Sequence, residues 1–102
     1  MQDRLEMLAQ FVAKNPKDSF ARYGLAMEYA NREEHEKALE HFGALLEHNP
    51  NYAAAYYQAG QLLRKLGRVE EARGFLERGI EVTSRSGDLH ARSEMQAALD
   101  LL

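Results

Sequence analysis

Histidine, serine and acidic side chains are where catalysis or metal binding would begin in this chain. His35, His41, His48 and His90 could hold a transition metal if two of them lay three or four residues apart on one helix, sharing a face. No pair has that spacing, and there is no H-E-x-x-H. The acids beside two of them, in Glu40-His41 and Glu47-His48, are sequence neighbours, whose side chains point in different directions on a helix. Ser84, Ser86 and Ser93 lack the strand-to-helix elbow that exposes a nucleophilic serine. Gly24, Gly43, Gly60, Gly67, Gly74, Gly79 and Gly87 never form a phosphate-binding loop, and most fall within helical stretches, where they would permit close packing. The absence of cysteine removes disulfides, thiolate metal sites and a cysteine nucleophile together. These patterns point away from an enzyme and imply no catalytic residue, metal or cofactor.

The chemistry left is that of contact, and it repeats. The same shift of the chain along itself that places Pro16 on Pro50 also places Ala38 on Ala72, Ala26 on Gly60 and Tyr23 on Tyr57. That period, about 34 residues, is the length of a helix–turn–helix unit, which cannot bury its apolar face alone and stacks on neighbours. Apolar residues recur at three and four throughout, as amphipathic helices require, and no stretch reads as a strand. The spacing predicts six helices, roughly 2–14, 19–31, 35–48, 52–66, 69–85 and 88–101. Asn15-Pro16 and Asn49-Pro50 end helices, because the residue before proline is pushed out of the α region. Asp18, Asn51 and Asp88 are expected N-caps. Gly67 is expected to close the fourth helix in a left-handed conformation, a task left to Asn31 or its neighbours in the second. Linkers this short force neighbouring helices to run antiparallel. Glu33–Lys37 and Glu81–Arg85 are expected as ion pairs on exposed faces.

At 102 residues the chain is one domain of ordinary size. A net charge of −3 without charge blocks argues against a nucleic-acid binder, and single-stranded RNA is disfavoured on the same ground. No apolar run is long enough to span a membrane. The start, Met1-Gln2-Asp3-Arg4-Leu5-Glu6, carries acids where a signal peptide needs a basic head, so a cytoplasmic protein is expected.

Within the period, unit one has Arg22-x2-Leu25-Ala26-x2-Tyr29, then Ala38-x3-Phe42, then Pro50. Unit two has Tyr56-x2-Ala59-Gly60-x2-Leu63, then Ala72-x3-Leu76, with Ser84 in place of proline. This resembles the tetratricopeptide repeat family over nearly the whole chain. The departures are Arg22 where the family has a large aromatic, a space Phe20 is expected to fill, and Glu33 where unit two has Gly67. The resemblance implies an all-α fold, a right-handed α-α superhelix of antiparallel helix pairs. Its parts would be an N-terminal helix in second-helix register (1–16), repeat 1 (19–52), repeat 2 (53–86) and a C-terminal capping helix (87–102). Leu5, Leu8, Phe11 and Val12 are expected to pack on helix 19–31, with Tyr29, Phe42, Phe75 and Leu76 as packing residues.

The resemblance further implies a non-enzymatic interaction module that holds a peptide or helix of a partner protein in a concave groove lined by first helices. Carried over by position, the candidate groove residues are Phe20, Tyr23, Met27 and Asn31, then Tyr57, Gln61 and Arg64, and Met95 in the last helix. Tyrosine suits such a surface because its ring buries area while its hydroxyl keeps a polar partner, and methionine adapts to differently shaped partners. The rival expectation is self-association. Exposed apolar surface on helix 2–14 and at Leu99, Leu101 and Leu102 would drive a homodimer or end-to-end stacking.

Overall fold

In the computed structural model, which describes residues 3–102, every regular element is an α-helix. They are α1 (Arg4–Lys14), α2 (Ser19–Asn31), α3 (His35–His48), α4 (Ala53–Lys65), α5 (Val69–Ser86) and α6 (Leu89–Asp100). Met1 and Gln2, which enter the signal-peptide test and the expected start of the first helix, lie outside the described residues. Among the described residues no helix is long and apolar enough to cross a membrane. The chain divides into two compact units, one ending at Asn49 and one spanning Pro50–Leu102.

The first unit contains α1, α2 and α3, with α2 packed on both of the others. Asp3 and Asp18 start α1 and α2 by accepting the backbone N–H of Glu6 (3.0 Å) and Ala21 (2.9 Å). Asn15 leaves α1 ahead of Pro16, and its side-chain amide returns to the Phe11 carbonyl at 3.0 Å. α2 stops at the residue that the repeat aligns with Gly67. Glu33 takes a left-handed φ of 61°, the role Gly67 plays at φ 77° in the second unit. A non-glycine residue pays about 1–2 kcal/mol for that conformation. Glu33 therefore lies off the helix and the expected Glu33–Lys37 pair does not form; Lys37 pairs with Glu34 instead, at 3.5 Å. Glu81–Arg85 forms as expected, at 2.9 Å. Val12, Ala21 and Leu25 make a buried cluster joined by Leu5, Leu8, Ala9 and Tyr29. Ala26, Ala38, Phe42 and Leu45 are also buried. Burial of each large member contributes about 1.5–3 kcal/mol.

The second unit packs α5 on both α4 and α6. Two glycines make this possible. A Cβ on Gly60 would stand 2.8 Å from Cγ and Cδ2 of Leu76, and one on Gly79 would meet Met95 Sδ and stand 2.8 Å from Tyr56 Cβ. Gly43 and Gly74, by contrast, have open space and serve no close approach. Thr83 is fully buried yet satisfied, its hydroxyl donating to the Gly79 carbonyl at 2.8 Å. Phe75 is half-buried under the Arg78 guanidinium, 4.6 Å from its ring centroid. Asn51 does not cap α4: the cap residue is Tyr52, without a side-chain bond. Asp88 does cap α6, accepting from Ala91 N at 3.2 Å.

The period changes at the last helix. α4 starts one full period after α2, and α5 one full period after α3, but α6 starts two positions later than the same step from α4 would put it. The cause is local. Where Pro50 follows α3, Ser84 leaves α5 free to run on to Ser86, until Gly87 ends it at φ 78°. Two extra residues turn a helix by about 200°. Met95 and Ala98 consequently match the buried Ala59 and Leu62, and both lie in the core.

Candidate functional site

In the first unit an apolar cleft of about 440 Å³ lies between α1 and α2, lined by Arg4, Leu8, Phe11, Phe20, Tyr23 and Met27. Gly24 also lines it, and a Cβ there would stand in ordinary contact, 3.6 Å from Leu8 Cδ2. Phe20 is 80% exposed, Met7 56% and Phe11 48%. Phe11 is thus not the core residue expected. The face of α1 that meets α2 is Leu5, Ala9 and Val12, at spacings of four and three, and Phe11 stands about 100° round from Val12. Tyr23 is half-buried, its ring tilted on Phe42 at a centroid distance of 6.1 Å. Met27 is half-buried, and Asn31, the last residue of α2, is exposed.

Phe20 does not fill the space expected of it either; Arg22 occupies its own position. Its Nη2 donates to the Pro16 carbonyl at 3.1 Å. Tyr56, one period on in the second unit, donates its hydroxyl to the Pro50 carbonyl at 2.7 Å. Two unlike side chains therefore tether the same turn in the two repeats. Arg22 Nη1 also lies 3.1 Å from His41 Nδ1. A guanidinium can only donate, so Nδ1 accepts and the imidazole is neutral. His41 stacks on Tyr29 at 5.4 Å, and Lys37 stands over the other partner of that stack, 5.6 Å from the Tyr29 ring. Burial, reinforced by the Arg22 charge and opposed by Glu40, holds the His41 pKa below its ordinary value.

In the second unit the candidates on α4 are neighbours one turn apart. Gln61 Nε2 donates to the Tyr57 hydroxyl at 3.2 Å, while Gln61 Oε1 is buried without a hydrogen-bond partner. Gln61, Arg64 and Lys65 line a polar hollow of about 270 Å³. Met95 leaves the candidate set, because it is fully buried over Gly79 and cannot reach a partner. The histidines do not converge, and among the described residues no three His, Asp or Glu side chains are grouped to hold a metal. Spacing alone passed over Arg4, Leu8 and Phe11 as lining residues of the cleft. The signal for them was the start of the array at a second helix.

Two models of the tetratricopeptide repeat match the sequence, one over residues 29–99 and the other over residues 1–55. The chain belongs to the tetratricopeptide repeat family. A TPR repeat-containing protein of Pseudomonas aeruginosa is 30% identical over 95 residues, covering 93% of this chain and 90% of that protein. A Bordetella parapertussis protein solved in solution superposes with a TM-score of 0.82 at 30% identity, over 98% of this chain and 87% of the other. A tetratricopeptide repeat domain protein from Salinibacter ruber gives a TM-score of 0.78 at 37% identity, over 82% and 85%. The tetratricopeptide fold suggests a protein–protein interaction module. Within that family pattern, this chain's own features are Arg22 at the tether, Glu33 in a left-handed turn, and a last helix displaced in phase by two positions.

Proposed function

We propose that this protein is a non-enzymatic interaction module that holds a peptide or helix of a partner on the solvent-facing sides of its first helices. In the first unit the contact residues are Phe20, Tyr23, Met27 and Asn31; in the second they are Tyr57, Gln61 and Arg64. The reading takes 19–52 and 53–86 as the two repeats, flanked by 1–16 and by a cap at 87–102. The observation that carries this reading is the pair Tyr57–Gln61. One end of the amide is held by the tyrosine hydroxyl and the other is buried with no donor. Beside this pair Gln61, Arg64 and Lys65 line a polar hollow of about 270 Å³, in which polar groups of a bound segment would find partners. The exposed Phe20 ring adds apolar area to such a contact. A Tyr57→Ala, Gln61→Ala double variant that melts like the parent should lose its partner in a pull-down from the native lysate. Undiminished recovery would show that these residues do not touch it.

A further inference from the structure

The two repeats secure the turn before their first helix with different chemistry. In unit two the Tyr56 hydroxyl donates to the Pro50 carbonyl at 2.7 Å, and Phe75 holds the place that His41 holds in unit one. Side chains of these types do not ionise near neutral pH. In unit one both positions are polar. Arg22 Nη2 donates to the Pro16 carbonyl at 3.1 Å, and its Nη1 donates to His41 Nδ1 at 3.1 Å. Because a guanidinium is rigid and planar, the bond to His41 helps aim the other nitrogen at Pro16. The turn itself is short: the Asp18 N–H donates to the Asn15 carbonyl at 3.0 Å, across Pro16 and Lys17. One side chain thus couples the α1–α2 junction to a histidine of α3.

We propose that protonation of His41 withdraws Arg22 from the Pro16 carbonyl, which makes the α1–α2 junction an acid-released latch. The contact fits one charge state. A protonated imidazole carries a hydrogen on both nitrogens, so Nδ1 loses the lone pair that Arg22 needs. Two like charges would then meet across a part-buried contact of 3.1 Å. The surroundings do not offset that. From α2, His41 faces Arg22 and the Tyr29 ring, stacked on it at 5.4 Å. On α3 itself, Lys37 stands over that ring and adds a second cation. Glu40 favours the charged imidazole, but burial and Arg22 together outweigh it. The acids of α2 and of the turn are engaged elsewhere. Glu28 is held by Arg4 at 3.0 Å and Arg32 at 3.1 Å, and Asp18 accepts the Ala21 N–H at 2.9 Å. Arg22 has a way out, because its bond to Pro16 lies at the exposed surface. His41 has a folded-state pKa below the ordinary 6.5, so the latch is closed above that value and opens as pH falls through the folded pKa. Only the C-terminal end of α1 is freed, since its N-terminal end stays tied by Arg4–Glu28, where no histidine takes part.

The latch does not depend on where a partner binds, so it and the groove reading fail separately. The full chain is titrated by NMR across the histidine range. Long-range proton–nitrogen spectra of the imidazole read the charge and tautomer of His41, and the amide shifts of Lys17 and Asp18 read the turn. Neutral His41 should carry its proton on Nε2, and the two amides should shift with the His41 midpoint. The protection factor of the Asp18 amide should fall about tenfold across that step, the worth of a hydrogen bond from a charged donor. In His41→Gln, which keeps an acceptor for Arg22, the step at that midpoint should vanish from both amides. Arg22→Tyr combined with His41→Phe installs the unit-two pair, and its turn should ignore pH over the same range. A proton on Nδ1 of the neutral ring, turn amides that stay flat while His41 titrates, or a step that survives in His41→Gln overturns the proposal.

Discussion

Replacing Gly79 by alanine adds one methyl group at the tightest point of the second unit. The new Cβ would collide with Met95 Sδ and stand 2.8 Å from Tyr56 Cβ. Met95 is a flexible side chain and can yield, but a Cβ is fixed to its backbone. α5 must therefore back away from α4 by at least about 0.6 Å to restore ordinary contact. Overpacking of this kind costs about 1–3 kcal/mol. The same substitution at Gly74, in the same helix, meets nothing within 4 Å. Both changes gain the same helix propensity, about 0.8–1.0 kcal/mol, so it cancels in the comparison. Gly74→Ala should stabilise by about that propensity and Gly79→Ala should lie about 1–3 kcal/mol below it, near or under the parent. In a domain of this size the gap is about 5–20 °C in Tm. Thermal and urea unfolding followed by circular dichroism at 222 nm would measure it. Equal gains from the two alanines would refute the claim that Gly79 exists for close approach.

Two further outcomes follow from the first unit. Glu33→Gly should raise stability by about 0.5–1 kcal/mol, because glycine relieves the left-handed strain at φ 61° while giving back some unfolded-state entropy; a urea midpoint at or below the parent's would show there is no strain to relieve. His41 has a folded-state pKa held below the ordinary 6.5, so on acidification the unfolded chain takes up its proton first. Its contribution is then complete above about pH 6.5 and is lost as pH falls below that toward the folded pKa. His41→Gln, which keeps an acceptor for Arg22, should flatten that part of a Tm-against-pH curve, and an unchanged slope would remove His41 as its source.

How much of this was readable in advance depends on the residue. The repeat period predicts the helix pairs because proline and small residues are constrained by backbone geometry, and Pro16, Ala26, Ala38 and Ala72 keep those constraints whatever surrounds them. The phase of α6 is not readable from the period, because it turns on an absence: without a proline at Ser84 the helix simply continues to Ser86. Met95 then passes for a surface residue in a pattern that assumes an unbroken repeat. Phe11 fails for another reason. Helical spacing marks it apolar but cannot say whether a neighbouring helix exists to cover it. The repeat aligns Glu33 with Gly67, but its left-handed φ is not readable, because side-chain type normally forecasts φ and the turn between α2 and α3 overrides that preference. Tyr57 and Gln61, carried over by position from the family's groove, do share a hydrogen bond, since a separation of four makes them neighbours on a helix.

The most direct measurement of the interaction reading is site-specific photo-crosslinking in cells of the native organism. Benzoylphenylalanine would be placed one site at a time at Tyr23, at Tyr57, and at the exposed Glu77 of α5 as a control. If partners lie on the first-helix faces, the probes at 23 and 57 should give the same covalent adduct and the probe at 77 should give none. An adduct at 77 with nothing at 23 or 57 would contradict the reading outright.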